Sequence, residues 1–216
     1  MQEAKGLIIT GIITVAILVG GIFLLSKAGN SQQNTPAANP KLLIREDSYQ
    51  TSSTSAQVTI VEFGDYECPA CAQVNPIIKQ VIKDYQDKVN FVFRNYPLPQ
   101  HKNALIAAFA AHAAGEQGKF WEMHDKLYET QNDWSQSSSP LDIFADCAKS
   151  LDLDLDKFKS DVSSKKYQDK INQDVSDGNN LNITATPTFY INGIVLPGVP
   201  SESEFKSIID QILSQK

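Results

Sequence analysis

Cysteine is scarce in this sequence, with three residues among 216. A small protein held together by disulfides needs an even set of cysteines in a short chain, so that class of protein is excluded. Cys68 and Cys71 lie three positions apart, whereas Cys147 is far from both. The spacing indicates one redox pair and one unrelated cysteine.

Runs of basic residues are also absent, and the formal net charge is -6. Nucleic-acid binding depends on clustered Lys and Arg side chains, so no nucleic acid is expected as a partner. No internal repeat is visible. Hydrophobic residues make up 42% of the chain, which is enough for the core of a folded domain.

One long apolar run is present, Leu7–Leu25, and it contains no charged residue. As a helix it would be about 28 Å long, close to the hydrocarbon thickness of about 30 Å. We predict a single-pass transmembrane anchor after a short tail of residues 1–6. A cleaved signal peptide is the alternative, because Ser26 and Ala28 offer small residues to a signal peptidase. The count of positive charges leans toward a cytoplasmic C-terminal part, although long domains translocate largely regardless of that count.

Residues 26–50 are polar and rich in Pro and Ala, which predicts a flexible linker. Beyond it, Val58–Phe63 and Val89–Arg94 have the composition of buried strands. A helix is predicted from Pro69, since proline suits the first position of a helix.

Helices dominate the next part of the chain, and a hairpin and a last helix follow. The predicted helices are Asn103–Ala114, Lys119–Thr130, Pro140–Ser150, Leu155–Asp174 and Glu202–Leu213, and the hairpin joins Thr188–Ile191 to Ile194–Leu196 through Asn192-Gly193. The order predicts an α/β domain made of residues 51–99 and 177–216, with an all-helical insertion at 100–176.

The segment Cys68-Pro69-Ala70-Cys71 carries the chemistry. Cysteines at i and i+3 can close a disulfide when the first lies at a helix N-terminus. There Cys68 would face free backbone N–H groups and the positive end of the helix dipole, which lower a thiol pKa. We expect Cys68 to be the exposed sulfur that forms a mixed disulfide with a substrate, and the more buried Cys71 to complete the exchange.

A Cys-x-x-Cys segment can also be half of a zinc site or an inert disulfide. Zinc needs about four ligands, and the remaining candidates form no second close pair, so no metal is expected. Those candidates are Cys147, His101, His112 and His124. Cys147 lies on an apolar helical face and is interpreted as a small core residue, with a regulatory disulfide as the alternative. His124 is expected to pack rather than catalyse.

Pro187 and Glu62 can each be interpreted in two ways. Pro187, preceded by Thr186, stands at the entrance of a strand, where it is an ordinary strand-start proline or a cis proline. Glu62 interrupts an apolar strand six residues before Cys68. It is a solvent-facing glutamate, or a buried acid with a raised pKa that can take a proton from Cys71.

Taken together, these segments resemble the DsbA-like branch of the thioredoxin superfamily, over about Val58 to Leu213. The segments that carry the resemblance are the strand running into Cys68-Pro69-Ala70-Cys71, then Phe93–Leu98 (FRNYPL), Ala114–Asp125 (AGEQGKFWEMHD) and Thr186–Gly193 (TPTFYING). The resemblance implies a thioredoxin fold interrupted by a helical domain. It also implies a cis Pro187 beside the cysteines, a Thr186 backbone that pairs with substrate peptide, and Glu62 as the buried acid of the family.

The implied activity is protein disulfide oxidoreduction on the extracytoplasmic side of the cell membrane, in the periplasm or at the cell exterior. The only redox group required is the Cys68–Cys71 disulfide, without a further cofactor. Implied partners are unfolded or partly folded proteins with cysteines, and a quinone-linked or VKOR-like membrane protein that recycles the pair.

One departure leaves the direction of electron flow open. The oxidase that typifies the family has His where this chain has Ala70, and without that cationic neighbour the pair should be less oxidising. We expect a potential between about -270 and about -120 mV. A reductase is the alternative, and an isomerase is weaker, because residues 26–57 are too short and polar for a separate dimerisation domain. A non-catalytic peptide-binding module would not require the two cysteines.

Overall fold

The computed structural model describes residues 37–51 and 56–215. The predicted tail, the predicted anchor Leu7–Leu25 and the first part of the predicted linker lie outside the described residues. Within the described part, no helix combines the length and apolar character needed to cross a bilayer.

A mixed five-stranded sheet lies at the centre of the described part. The strands are β1 (Tyr49–Gln50), β2 (Val58–Gly64), β3 (Val89–Asn95), β4 (Thr188–Ile191) and β5 (Ile194–Val195). Their order across the sheet is β1-β3-β2-β4-β5, with β2 and β3 parallel and the other pairs antiparallel. All of β3 and nearly all of β2 are buried, as expected of apolar strands covered on both faces.

Helices surround this sheet. They are α1 (Pro40–Leu43), α2 (Pro69–Tyr85), α3 (Ala104–Gly115), α4 (Phe120–Glu129), α5 (Gln131–Trp134), α6 (Pro140–Ser150), α7 (Leu155–Ser163), α8 (Gln168–Asn180) and α9 (Glu202–Ser214). Helices α3 to α8 lie in the chain between β3 and β4, so the predicted helical insertion is confirmed. The predicted hairpin is confirmed as well, with Asn192 and Gly193 both at positive φ (46° and 85°). Ser201 and Glu204 form a capping box at the start of α9.

The predicted linker is wrong for its second half. Residues 37–50 include α1 and β1, and Tyr49 pairs with Phe93 on β3. Arg45 forms an ion pair with Asp177, 2.6 Å between Nε and Oδ2. These partners are distant in sequence, so the polar composition of the segment gave no sign of them. The folded part therefore includes Ala37 and does not start at residue 51.

The predicted single helix Leu155–Asp174 is also wrong, because it divides into α7 and α8. Lys165 lies between the two with φ 56°, a left-handed conformation that interrupts a helix. Helix α8 continues to Asn180, and Asp174 and Asp177 on it form ion pairs with Arg94. The predicted boundary between residues 176 and 177 therefore falls inside a helix.

Candidate active site

The cysteine pair occupies the start of α2. Cys68 is the N-cap residue and Pro69 the first helical residue, as predicted. Cys71 is fully buried and Cys68 is 7% exposed, so the order of burial is as predicted but Cys68 is less exposed than expected. Thr186 lies against Cys68, with its backbone oxygen 3.3 Å from Cys68 Sγ. Both thiols are free in this structure.

The two sulfur atoms have opposite ionisation behaviour. A hydrogen bond from the Cys71 thiol is the largest cause that lowers the pKa of Cys68, from 9.0 to about 5, with further contributions from Thr186 and the N–H groups of Cys71 and Ala70. Burial, followed by interaction with Cys68 and Glu62, raises the pKa of Cys71 well above 9.0. One sulfur is thus a stable thiolate at neutral pH while the other keeps its proton.

Glu62 is buried, with 2% of its surface exposed, so the solvent-facing alternative is excluded. It lies on the central strand β2, between Phe93 of β3 and Phe189 of β4. Burial, and then the charge of Cys68, raises the pKa of Glu62 from 4.5 to about 8. Its Oε1 atom has no hydrogen-bond partner among the described residues, which is consistent with a protonated carboxyl.

The segment before β4 closes the other side of the site. The peptide bond between Thr186 and Pro187 is cis, the isomer that the family resemblance implies, and both residues are buried. The Thr186 oxygen reaches Cys68, so this segment and the cysteine pair are in direct contact.

Asp65 stabilises the turn that leads from β2 to Cys68. It is fully buried, and its carboxylate accepts hydrogen bonds from the backbone N–H groups of Glu67 and Leu98. Nδ1 of His101 lies 2.7 Å from Asp65 Oδ2. The Asp65 backbone oxygen accepts from Cys68 N. Asp65 therefore joins the cysteine turn to the loop after β3.

A second network lies behind the turn. The Tyr66 hydroxyl is 3.0 Å from His124 Nδ1, and His124 Nε2 is 3.3 Å from Asn75 Oδ1. Since the Asn75 oxygen can only accept, His124 donates through Nε2 and accepts from Tyr66 through Nδ1. Burial lowers the pKa of His124 to about 3, so the ring is neutral. This agrees with the expected packing role of His124.

The remaining candidates lie apart from this site. Cys147 is buried on α6 at 3.9 Å from the Thr130 hydroxyl, and burial raises its pKa. His112 is buried on α3, where its Nε2 accepts from Asn95 Nδ2. Among the described residues, no group of three or more His, Cys, Asp or Glu side chains is arranged to hold a metal ion.

Three groups that position the turn were not predicted from the sequence. They are Asp65, His101 and Gln131, whose Nε2 donates to the carbonyl oxygens of Tyr66 and Cys68. Asp65 directly precedes Tyr66 at the end of a buried strand, and an acid at such a strand end is a usable signal. His101 and Gln131 carry no local signal, because each reaches a partner more than 30 positions away.

Comparison with known proteins identifies the family. The family model described as Thioredoxin matches residues 47–211. The chain is 33% identical over 167 residues to Disulfide bond formation protein D of Bacillus subtilis, covering 74% of this chain and 75% of that protein. The crystal structure of oxidised BdbD from Bacillus subtilis has a TM-score of 0.71 at 29% identity, covering 82% of this chain and 96% of that chain.

The chain is also similar to part of a much longer protein that is named as an antiporter. The chain is 40% identical over 139 residues to Na(+)/H(+) antiporter NhaA 1 of Salinispora arenicola, which covers 64% of this chain and 20% of that protein. The chain thus spans about a fifth of the length of the antiporter relatives that it matches. Together with the fold and the paired cysteines, the comparisons show that this chain belongs to the thioredoxin family, in its DsbA-like branch.

Proposed function

We propose that this chain is a disulfide-donating oxidase that exchanges a Cys68–Cys71 disulfide with cysteines of extracytoplasmic proteins. The observation that carries the proposal is the inequality of the two sulfurs, with the pKa of Cys68 lowered to about 5 and that of Cys71 raised. A stabilised thiolate favours the reduced form of the pair. An oxidoreductase whose reduced form is stabilised gives up its disulfide readily.

The exchange proceeds in two displacements. A substrate thiolate attacks Cys68 Sγ, which forms a mixed disulfide and releases Cys71 from the Cys68–Cys71 bond. A second substrate thiolate then attacks the substrate sulfur and releases Cys68 as a thiolate. The substrate loses two electrons and gains a disulfide, while the pair is reduced to one thiolate and one thiol. A leaving group of low pKa departs faster, which favours Cys68 as the sulfur released last.

Glu62 is proposed as the proton donor and acceptor for Cys71. Cys71 is a poor leaving group as a bare thiolate because its pKa is raised. With a pKa of about 8, Glu62 carries a proton at neutral pH and can supply it as the Cys71 sulfur departs. When the pair is reoxidised, the same carboxylate takes the proton back.

Thr186 and Pro187 are proposed to bind the substrate peptide. The Thr186 backbone already contacts Cys68 Sγ, so a peptide paired with this segment would bring its cysteine to the reactive sulfur. Main-chain pairing of an extended peptide requires no particular side chains. This mode of binding suits substrates that are unfolded or partly folded and share only a cysteine.

Ala70 favours a second candidate, a reductase kept reduced by a membrane electron carrier. This side chain is partly exposed beside the pair and contributes no positive charge to the Cys68 thiolate.

Equilibration with glutathione distinguishes the oxidase from the reductase. The measured quantity is the fraction of the protein that holds the Cys68–Cys71 disulfide. We expect a potential clearly above about -270 mV, the value for thioredoxin. A potential near that value would contradict the oxidase.

A Cys68→Ser substitution tests whether the cysteines act at all. Either enzyme loses disulfide exchange in this variant, measured as oxidation of a reduced cysteine-containing protein. A peptide-binding module would retain its binding and show no dependence on the cysteines. Cys147→Ser is the matched control, since Cys147 lies apart from the pair, and we expect it to retain exchange.

We further propose a single-pass attachment to the cell membrane through Leu7–Leu25, with the folded part outside the cytoplasm. The disulfide chemistry supports this placement, because disulfides persist in oxidising compartments. A membrane redox protein, quinone-linked or VKOR-like, would then take electrons from the reduced pair. Protease treatment of intact cells would degrade the folded part, and deletion of residues 7–25 would release it from the membrane fraction. A folded part protected in intact cells would contradict the placement.

A further inference from the structure

The helical insertion contacts the cysteine turn at every residue from Asp65 to Cys68. His101 binds Asp65, His124 binds the Tyr66 hydroxyl, and the backbone N–H of Asn103 donates to Glu67 Oε2 at 2.6 Å. The last contact is made by Gln131 and differs from the others, because it reaches Cys68 itself.

Gln131 is the first residue of the short helix α5 and is 7% exposed. Its Nε2 atom donates to Tyr66 O at 2.7 Å and to Cys68 O at 3.0 Å. Both hydrogens of one amide nitrogen are thus used on the backbone of the turn. The Cys68 oxygen also accepts from Ala72 N, which begins the hydrogen bonding of α2.

The orientation of the Cys68 peptide group determines what its sulfur faces. With the carbonyl directed toward Gln131 and Ala72, the N–H groups of Ala70 and Cys71 are free to donate toward Sγ and lower the Cys68 pKa. Rotation of this peptide group would turn those donors away and bring a carbonyl oxygen nearer to the thiolate. The Tyr66 oxygen, at the previous corner of the turn, is fixed by the same amide.

We propose that Gln131 is a positioning residue for disulfide exchange, holding the backbone of the turn so that the Cys68 thiolate faces the N-terminus of α2. The proposal rests on the proposed role of Cys68 as the exchanging sulfur. It assigns to the helical insertion a direct part in setting the reactivity of the cysteine pair.

The variant Gln131→Met tests this assignment, because Met has a similar length and lacks the amide donors. In the full chain, thiolate absorbance at 240 nm is followed against pH in the reduced protein, together with the equilibrium with glutathione. We expect the midpoint of the Cys68 titration to rise by about half a pH unit or more. The equilibrium constant for reduction of the pair should then fall about threefold or more, since one pKa unit corresponds to a factor of ten.

Gln117→Met is the matched control. Gln117 also exchanges two hydrogen bonds with backbone, donating to Asp154 O and accepting from Asp154 N, but it lies away from the cysteine turn. We expect it to leave the titration and the glutathione equilibrium unchanged, even if the melting temperature falls. An equal shift in Gln117→Met would mean a general loss of stability and would overturn the proposal.

A folded Gln131→Met protein with an unchanged Cys68 titration would also overturn it. Circular dichroism shows whether Gln131→Met folds. If it does not, Gln131→Asn takes its place, because Asn keeps the amide on a shorter side chain. We expect the midpoint of the Cys68 titration to rise in this variant as well. An unchanged Gln131→Asn would then count against the proposal. A wild-type Cys68 that titrates near 9 would instead contradict the proposed function, and with it this inference.

Discussion

At the cysteine pair, burial and hydrogen bonding act in opposite directions on two identical side chains. Cys68 accepts hydrogen bonds at the N-terminus of α2, and these lower its pKa. Cys71 lies one turn inside α2, where burial raises its pKa. The spacing of three residues produces this inequality, because it places one sulfur before the helix and the other within it. The contact between Cys68 and Thr186 has no local signal in the sequence, because 118 positions separate the two residues, and only the family resemblance implied that this segment lies beside the cysteines.

The first prediction concerns the ionisation of Cys68. Its folded pKa of about 5 is below the ordinary value of 9.0, so the thiolate stabilises the reduced fold at high pH. That contribution is complete above pH 9 and is lost as the pH falls through about 5. We expect absorbance at 240 nm to report a thiolate with a midpoint near 5, and alkylation by iodoacetamide to follow the same curve.

Cys68→Ala should remove this absorbance step, while Cys71→Ala should keep a thiolate with a raised midpoint, because the hydrogen bond from Cys71 is the largest cause of the shift. A midpoint near 9 in the wild type would contradict the prediction.

The second prediction concerns Glu62. Its folded pKa of about 8 lies above the ordinary 4.5, so the native state binds an extra proton between these values and stability is lost as the pH rises through about 8. Glu62→Gln has no carboxyl to ionise, so this loss of stability with rising pH is absent from the variant. We expect the reduced variant to be more stable than the wild type by on the order of 3 kcal/mol at pH 7, by urea unfolding, with little difference at pH 4.5.

The same variant should slow resolution of a mixed disulfide, because Gln cannot exchange a proton with Cys71. A stability difference that does not change with pH would contradict the raised pKa of Glu62.

Among the elements, the turn from β2 to α2 depends on a partner that follows β3. Asp65 is fully buried, and His101 lies 2.7 Å from its carboxylate. We expect His101→Ala to lower the free energy of unfolding by about 1–2 kcal/mol, because a buried acceptor loses one of its partners. Lys102→Ala is the control, since its Nζ makes one exposed contact with Gln136 O. Equal losses of unfolding free energy in the two variants would contradict a stabilising contact between His101 and Asp65.

A close approach at the end of β2 gives a further prediction. A Cβ atom on Gly64 would lie 2.4 Å from the Phe93 ring and 2.8 Å from Glu62 Oε1. We expect Gly64→Ala to lower stability by about 1–3 kcal/mol through overpacking, measured by urea unfolding. Gly118→Ala has open space around its Cβ but a positive φ of 76°, so it isolates the cost of backbone strain. A Gly64→Ala protein as stable as the wild type would contradict the close packing beside Glu62.

The sequence was informative wherever an element depends on its own residues. The strands β2 and β3, the start of α2 at Pro69 and the Asn192-Gly193 hairpin follow from local composition and turn chemistry. Helix α1 and strand β1 could not be predicted, since they are stabilised by pairs such as Arg45 with Asp177, 132 positions apart. The contacts of Gln131 could not be predicted either, because its partners are backbone carbonyls that lie 65 and 63 positions away.

At the scale of the whole molecule, residues 37–50 complete the core. Leu43 is buried, and Arg94, itself almost fully buried, donates to the carbonyl oxygens of Leu42 and Leu43. We expect a chain lacking residues 1–50 to be less stable than one lacking residues 1–36 by several kcal/mol, about 3–5, because a buried charge would lose partners. Thermal unfolding of the two proteins measures the difference, and equal melting temperatures would contradict it.

The two edges of the sheet have a consequence for aggregation. Both edge strands, β1 and β5, are two residues long, so little unpaired backbone is presented along either side. Short edges give an extended chain few positions at which to add as another strand. An oxidase that acts on unfolded proteins, as proposed above, would meet such segments continually. Short edge strands would discourage these segments from adding to the sheet, so that strand-like contact would be confined to the proposed substrate-binding segment beside the cysteines.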